Sequence, residues 1–218
     1  MNLKFSEFLD LISRNQTDHK KTRVSAYLEY SSIPAYLPEL EEDIEELPFV
    51  RNLLSRQHLN IWLSDGNTLG KLHFDEFDNF LCQIRGSKQL ILFEPYDNTR
   101  MYEAHIPEAK LSFDPLTGTF HRKHLLDSTA MVMAPVDILN PDFQRFPAFA
   151  EMRPLNCTIN EGDILFMPAF WWHEVQSFPN STERRNLAVN FWYKPFLTKE
   201  FPCAHCKLDV NPEYRNLL

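Results

Sequence analysis

The sequence predicts a mainly β fold with a few peripheral helices, and three observations carry that reading. Apolar residues fall in short runs that alternate or are rich in β-branched and aromatic side chains, at residues 59–63, 80–85, 89–93 and 186–193. Turn chemistry interrupts them at Ser64-Asp65-Gly66-Asn67, Arg85-Gly86-Ser87-Lys88 and Asn160-Glu161-Gly162-Asp163. Helical patterning is read only in two short stretches near the start of the chain.

Each element follows from its residues. In 6–15, Phe8, Leu9, Leu11 and Ile12 recur near helical spacing behind an N-cap-type Ser6, which predicts an amphipathic helix; the polar stretch 16–21 reads as a loop. Residues 24–30 alternate and predict a strand, with Val24, Ala26, Leu28 and Tyr30 on one face and Ser25, Tyr27 and Glu29 on the other. Residues 38–47 open on Pro38 and carry acids where a helix dipole favours them, so they read as a short exposed helix. Its charge run is more often a solvated face than a dock for a basic partner.

A strand at 59–63 and the turn after it lead to a strand ending near His73. Strands 80–85 and 89–93 read as a hairpin through 85–88. Between about 96 and 154 periodicity fades and prolines recur, which predicts a long insertion of short pieces. His105, His121 and His124 lie there without strand context and read as surface residues. Strands 156–159 and 164–167 read as a second hairpin, delivering 168–173. In 186–193, Asn186, Asn190 and Trp192 share one face and Leu187, Val189, Phe191 and Tyr193 the other. Nothing reads as an interdomain linker, so residues 1–218 are expected to form a single domain with a core at about 24–195.

A formal charge of −8 argues against a general nucleic-acid or anionic-membrane surface and is compatible with a basic peptide partner. Oligomeric state is not legible. The start of the chain lacks a signal-peptide pattern and no run approaches a membrane span, so an intracellular, cytoplasmic or nuclear protein is expected. Cys82 and Cys157 read as buried free thiols, and no disulfide framework is implied. Cys203-Ala204-His205-Cys206 could be half of a zinc site but has no second thiol pair.

The chemistry-bearing stretch is Leu72-His73-Phe74-Asp75-Glu76-Phe77-Asp78-Asn79-Phe80, where an imidazole and a carboxylate stand two residues apart. His173 follows far downstream in Pro168-Ala169-Phe170-Trp171-Trp172-His173. Two histidines and one carboxylate suit non-haem Fe(II), because three ligands on one side leave positions for a co-substrate and dioxygen. Zn²⁺ accepts the same set, so the triad leaves oxygenation and hydrolysis both open.

The segments His73-Phe74-Asp75-Glu76, Asn79 to Lys88, Ile91-Leu92-Phe93-Glu94-Pro95, Asn140-Pro141-Asp142-Phe143, Glu161-Gly162-Asp163-Ile164 and Val189-Asn190-Phe191-Trp192-Tyr193 resemble, in order, the small JmjC-type cupin hydroxylases. The similarity is greatest to asparaginyl and lysyl protein hydroxylases of that family. It implies a double-stranded β-helix (the cupin or jelly-roll barrel) with metal ligands His73, Asp75 and His173, and Fe(II) with 2-oxoglutarate and dioxygen as co-substrates. It also places Tyr27, Thr68, Asn79, Lys88, Asn190 and Trp192 around 2-oxoglutarate. A 2-oxo acid chelating iron leaves a far carboxylate that calls for a cation, and Lys88 is the residue expected there. The implied activity is dioxygenase hydroxylation of a protein or peptide side chain. The rivals are N-methyl-lysine demethylation, metal-dependent peptide hydrolysis with Glu76 or Glu174 as base, and a non-catalytic cupin binding module.

Overall fold

Two long antiparallel ribbons, each bent at a glycine, make the scaffold. The computed structural model describes residues 4–14, 26–106, 109–114, 116–124, 131–200, 203 and 205–217. Helix α1 (Phe5–Arg14) leads into β1 (Tyr27–Ser32), the single turn α2 (Ile33–Tyr36), β2 (Arg56–Ser64), β3 (Leu69–His73), β4 (Asp78–Arg85) and β5 (Ser87–Phe93). The short strands β6 (Ala104–Ile106), β7 (Ala109–Asp114), β8 (Thr119–His124) and β9 (Met131–Met133) follow. The chain then forms β10 (Leu155–Ile159), β11 (Ile164–Met167), β12 (Trp172–Phe178), β13 (Asn186–Tyr193), β14 (Leu197–Thr198) and β15 (Asp209–Val210).

The principal strands form two sheets, ordered β1-β2-β13-β4-β11 and β10-β5-β12-β3-β9-β6. From β2 to β5 and again from β10 to β13, consecutive strands alternate between the two sheets. β4 pairs with β11 while β5 pairs with β10, and β2 pairs with β13 while β3 pairs with β12. Each ribbon thus runs through both sheets, which is the double-stranded β-helix.

This corrects the two expected hairpins: residues 80–93 and 156–167 do not pair with themselves but turn corners between sheets and pair with each other. The corners are tied together by Gln83 N–H to the Asp163 carbonyl (3.0 Å), Gly162 N–H to the Gln83 carbonyl (2.8 Å) and Gly86 N–H to Glu161 Oε1 (2.8 Å). Gly66 and Gly86 take φ of +88° and +76° at the bends. A Cβ on Gly66 would lie 2.5 Å from Pro179, and one on Gly86 would lie 2.3 Å from the Phe178 carbonyl. Glycine is required at both by backbone conformation and by space.

Strand alternation sorts the side chains into layers. Leu81, Leu90, Leu92, Ile159, Met167 and Ala188 meet between the sheets with Trp62 and Val175. The outer face of the five-stranded sheet, with Leu59, Ile61, Phe80, Val189 and Phe191, is covered by Ile33, Leu47 and Val50. Helix α1 seals one end through Phe8 and Ile12 on Leu63. The insertion supplies Met101, Val132, Phe146, Phe149 and Met152, which cover Leu72, Phe93 and Trp172 on the outer face of the other sheet. Each such fully buried side chain contributes roughly 1.5–3 kcal/mol.

Three local expectations change or fall away. Residues 38–43 form a 3₁₀ helix rather than an α-helix. Cys203 and Cys206 form a disulfide, where the sequence implied no disulfide framework. Residues 15–25, including the expected loop and the strand start at Val24 and Ser25, lie outside the described residues.

Candidate functional site

The barrel interior interleaves polar with apolar side chains. Along β5, Lys88 shares a face with Leu90 and Leu92; along β13, Asn190 and Trp192 share one with Ala188; along β4, Asn79 shares one with Leu81. The interior-facing set therefore contains most of the polar residues singled out in the sequence.

His73 and His173 lie opposite one another across β3 and β12, with ring centroids 4.3 Å apart. Asp75 stands just past the end of β3, its Oδ2 3.6 Å from His173 Nε2. One ligand atom from each of the three falls within 4.8 Å of the others. Each histidine places Nδ1 against the carbonyl two residues earlier, His73 on Lys71 at 2.5 Å and His173 on Trp171 at 2.9 Å. Those bonds fix Nδ1 as the protonated nitrogen and leave Nε2 as a free lone pair. Burial, assisted by His73, lowers the His173 pKa to about 4 against the opposing pull of Asp75, so this ring is neutral at physiological pH. The loop before His173 is pinned to the Asp75 loop by Phe170 N–H on the Asp75 carbonyl (2.8 Å), with Phe170 held at a φ of 68°.

Asp78, 4% exposed, braces this arrangement. Its two oxygens accept the backbone N–H groups of Ala169 and Phe196, each at 2.9 Å. One buried carboxylate thus joins the segment carrying Asp75, the loop leading to His173 and the chain after β13.

Four residues along β12 from His173, Ser177 faces Lys88. The Lys88 ammonium, 2% exposed, donates to Ser177 Oγ at 2.7 Å and makes no ion pair among the described residues. Burial lowers its pKa to about 8. The Thr68 carbonyl accepts the Ser177 N–H at 2.9 Å, and the buried Thr68 Oγ1 has no hydrogen-bond partner. Thr68 and Lys88 are therefore brought together through Ser177. Asn190 donates to Asn79 Oδ1 (3.2 Å) and accepts from Trp62 Nε1 (2.8 Å). Tyr27 packs beside Trp62 with centroids 6.0 Å apart, and burial, with Glu29 nearby, holds its phenol well above the usual range.

Aromatic rings gather where Trp192 lies opposite Asn79. Trp192 stacks on Phe77 (4.9 Å, 13°) and meets His58 (5.9 Å) and Tyr30 (5.2 Å). Tyr30 was expected on the Leu28 face. A bulge between Leu28 and Ser31, with Tyr30 at a φ of 51°, turns it to the opposite side, over Trp192 and near Asp75.

A family model described as a cupin-like domain matches residues 1–199. The chain belongs to the cupin-like domain family, in its JmjC branch. Among curated relatives, the human bifunctional peptidase and (3S)-lysyl hydroxylase JMJD7 is 32% identical over 170 residues, 75% of this chain and 51% of that protein. Lysine-specific demethylase 8 of Danio rerio is 30% identical over 188 residues, 84% of this chain and 39% of that protein. The tRNA wybutosine-synthesizing protein 5 of Gallus gallus is 34% identical over 122 residues, 56% of this chain and 29% of that protein. The chain spans about half the length, or less, of these relatives.

The interior of this cupin-like barrel fits a bound metal with an acid beside it. Two fixed Nε2 lone pairs and a carboxylate converge on one point, which is the donor chemistry of a divalent transition metal. Among the described residues the buried Thr68 hydroxyl has no partner and the Lys88 ammonium has the Ser177 hydroxyl but no carboxylate, so both can donate to a bound acid. Glu174 follows His173 directly on a strand, so it faces the other side of the sheet, away from the cluster.

Sequence reasoning missed Trp62, Ser177, His58 and Phe77. For Trp62 the alternation of 59–63 carried the signal, because it sets Asn60 and Trp62 on the face opposite Leu59 and Ile61. Ser177 gave none, since only cross-strand register reveals its partnership with Lys88. Of the insertion histidines, His105 lies 3.1 Å from Glu103 and His121 is exposed, both outside the cluster.

Proposed function

We propose that this protein is an Fe(II)- and 2-oxoglutarate-dependent dioxygenase that hydroxylates a side chain of a polypeptide. One observation carries the reading: a single barrel interior holds a three-ligand cluster and, on the β5 strand that pairs with the His173 strand, a buried ammonium with no carboxylate partner among the described residues. The names of the human and fish relatives, a lysyl hydroxylase and a lysine demethylase, support a polypeptide substrate. The name of the chicken relative points to tRNA, but a chain with a formal charge of −8 is poorly matched to phosphates.

In this reading His73 and His173 would offer Nε2, and Asp75 a carboxylate oxygen, to the metal. Lys88 would hold the far carboxylate of 2-oxoglutarate with the hydroxyls of Thr68 and Tyr27, while Asn79, Asn190 and Trp192 line the space between. When bound, iron and 2-oxoglutarate supply oxygen activation, one oxygen atom entering a substrate C–H bond and the other leaving in succinate as carbon dioxide is lost. The chain's own contribution is position and dryness. The carbonyls of Lys71 and Trp171 fix the imidazoles, Asp78 and the Phe170 N–H fix the loops, and the aromatic group around Trp192 excludes water.

Mass spectrometry of candidate peptides incubated with the protein, Fe(II) and 2-oxoglutarate, with and without oxygen, tests this. A gain of one oxygen atom that needs both oxygen and 2-oxoglutarate is the expected result. Formaldehyde released from methyl-lysine peptides would replace hydroxylation by demethylation. Chain cleavage without oxygen would replace it by hydrolysis, with Glu76 the candidate base.

A further inference from the structure

Three aromatic rings meet in the buried layer that the insertion covers, on the sheet that carries β3 and β12. Phe74 lies 4.9 Å from Trp172, edge to face at 89°, and 5.8 Å from Phe170. Their places in the chain tie them to the metal cluster. Phe74 stands between His73 and Asp75, Trp172 directly precedes His173, and Phe170 donates its N–H to the Asp75 carbonyl at 2.8 Å. Neighbouring side chains of an extended backbone point to opposite sides, so what sets the rings of Phe74 and Trp172 on one side also sets the cluster residues beside them on the other. Phe170 keeps its place at a φ of 68°, a backbone conformation that persists only where the surroundings enforce it.

Those surroundings include a buried charge. Lys199, just past β14, has a side chain 1% exposed, and its ammonium rests over the Phe74 ring at 4.7 Å and the Phe170 ring at 5.6 Å. Glu103, 2% exposed and carried by the insertion, places Oε2 3.8 Å away, which is beyond hydrogen-bond reach, and neither atom has a hydrogen-bond partner among the described residues. The ammonium is therefore held in large part by the two ring faces, whose quadrupoles attract a desolvated cation. A loose buried ion pair adds little to stability, and apolar residues in its place commonly serve as well or better. An apolar side chain could not, however, draw two rings from separate loops towards one point.

We propose that Lys199 is a positioning residue of the metal cluster: its ammonium draws the rings of Phe74 and Phe170 together and thereby fixes how the Asp75 carboxylate meets His73 and His173. The action runs through the rings and not through contact with the cluster. Two segments outside the barrel strands, the insertion with Glu103 and the stretch after β14 with Lys199, thus take part in setting the site.

The inference rests on the cluster binding a divalent metal, and the test separates the two. Co(II) is the probe, titrated anaerobically into the full chain and followed by its visible absorption, which reports coordination geometry, with urea denaturation of the metal-free proteins alongside. Lys199→Met, with a stem of similar length and no charge, should bind Co(II) about tenfold more weakly or worse, and with shifted bands, while unfolding at a urea concentration no lower than that of the unaltered chain. Lys199→Arg, whose planar cation also stacks on aromatic faces, should restore the affinity to within about threefold. Unaltered Co(II) affinity and bands in Lys199→Met would overturn the positioning role. So would an affinity loss that comes with an earlier unfolding midpoint and that Lys199→Arg does not reverse. If Lys199→Met does not fold, Phe74→Leu decides, because it removes a ring face and keeps the charge: Co(II) binding should again weaken about tenfold, and unchanged binding overturns the role. An unaltered chain that binds no Co(II) would overturn the positioning role and the metal site together.

Discussion

Replacing Lys88 by methionine should make the ligand-free protein more stable while weakening its hold on 2-oxoglutarate about a hundredfold. Burial lowers the Lys88 pKa from 10.5 to about 8. At about 1.4 kcal/mol for each tenfold loss of proton affinity, keeping the ammonium charged in the fold near neutral pH costs about 3 kcal/mol. Methionine keeps much of the stem and removes the charge, but it strips Ser177 Oγ of its donor and returns about 1 kcal/mol of the gain. Urea denaturation at pH 7 should therefore show the variant about 2 kcal/mol more stable. The sign with pH follows from the depressed pKa of a base. The penalty is complete below about pH 8, then fades towards 10.5, because across that window only the unfolded chain keeps its proton. Wild type should accordingly gain on the variant as pH rises through that range. A variant no more stable at pH 7, or a gap that stays constant to pH 10, would refute the claim that Lys88 is an uncompensated buried charge. In the same variant, 2-oxoglutarate affinity measured by calorimetry with Mn(II) in the site should fall by about two orders of magnitude, as expected for a lost charge-assisted contact.

Three further outcomes are expected. Asp75→Ala should weaken Fe(II) or Mn(II) binding about a hundredfold in an anaerobic titration, and an unchanged affinity would dissolve the metal cluster. Asp78→Asn should lower stability by roughly 2 kcal/mol, because an amide nitrogen would then confront the N–H of Ala169 or Phe196; a denaturation midpoint equal to wild type would show that Asp78 braces nothing. Gly86→Ala should cost at least 1–3 kcal/mol, since φ is +76° and the new Cβ would meet the Phe178 carbonyl at 2.3 Å; a tolerated substitution would mean that the corner can move.

The strands were legible in the sequence because a two-residue period is a local signal, and the faces of 186–193 came out as read. Pairing partners were not. Arg85-Gly86-Ser87-Lys88 has the composition of a hairpin turn, and nothing within those residues distinguishes a turn inside one sheet from a corner between two. Tyr30 went to the wrong face for a related reason: one extra residue in the bulge after Leu28 inverts everything beyond it, and a tyrosine at positive φ gives no compositional warning. His73, Asp75 and His173 were legible as a constellation, and the structure gathers them. Ser177, Glu103 and Lys199 were silent because their roles depend on contacts between segments with no shared pattern. The Cys203–Cys206 stretch was weighed only as half of a zinc site, because spacing does not report how the backbone brings two sulfurs together.

The direct pairing of β5 with β10 has an evolutionary consequence. Leu92 and Leu155 are opposite neighbours, so the intervening stretch leaves and re-enters the barrel through one doorway. Its length is thermodynamically cheap to change, because doubling a flexible loop costs only about 0.6 kcal/mol in closure entropy. What cannot be traded freely is the small apolar set, Met101, Val132, Phe146, Phe149 and Met152, that roofs Trp172 one residue before His173. Recombination could therefore exchange this segment like a cartridge, provided each replacement brings its own roof.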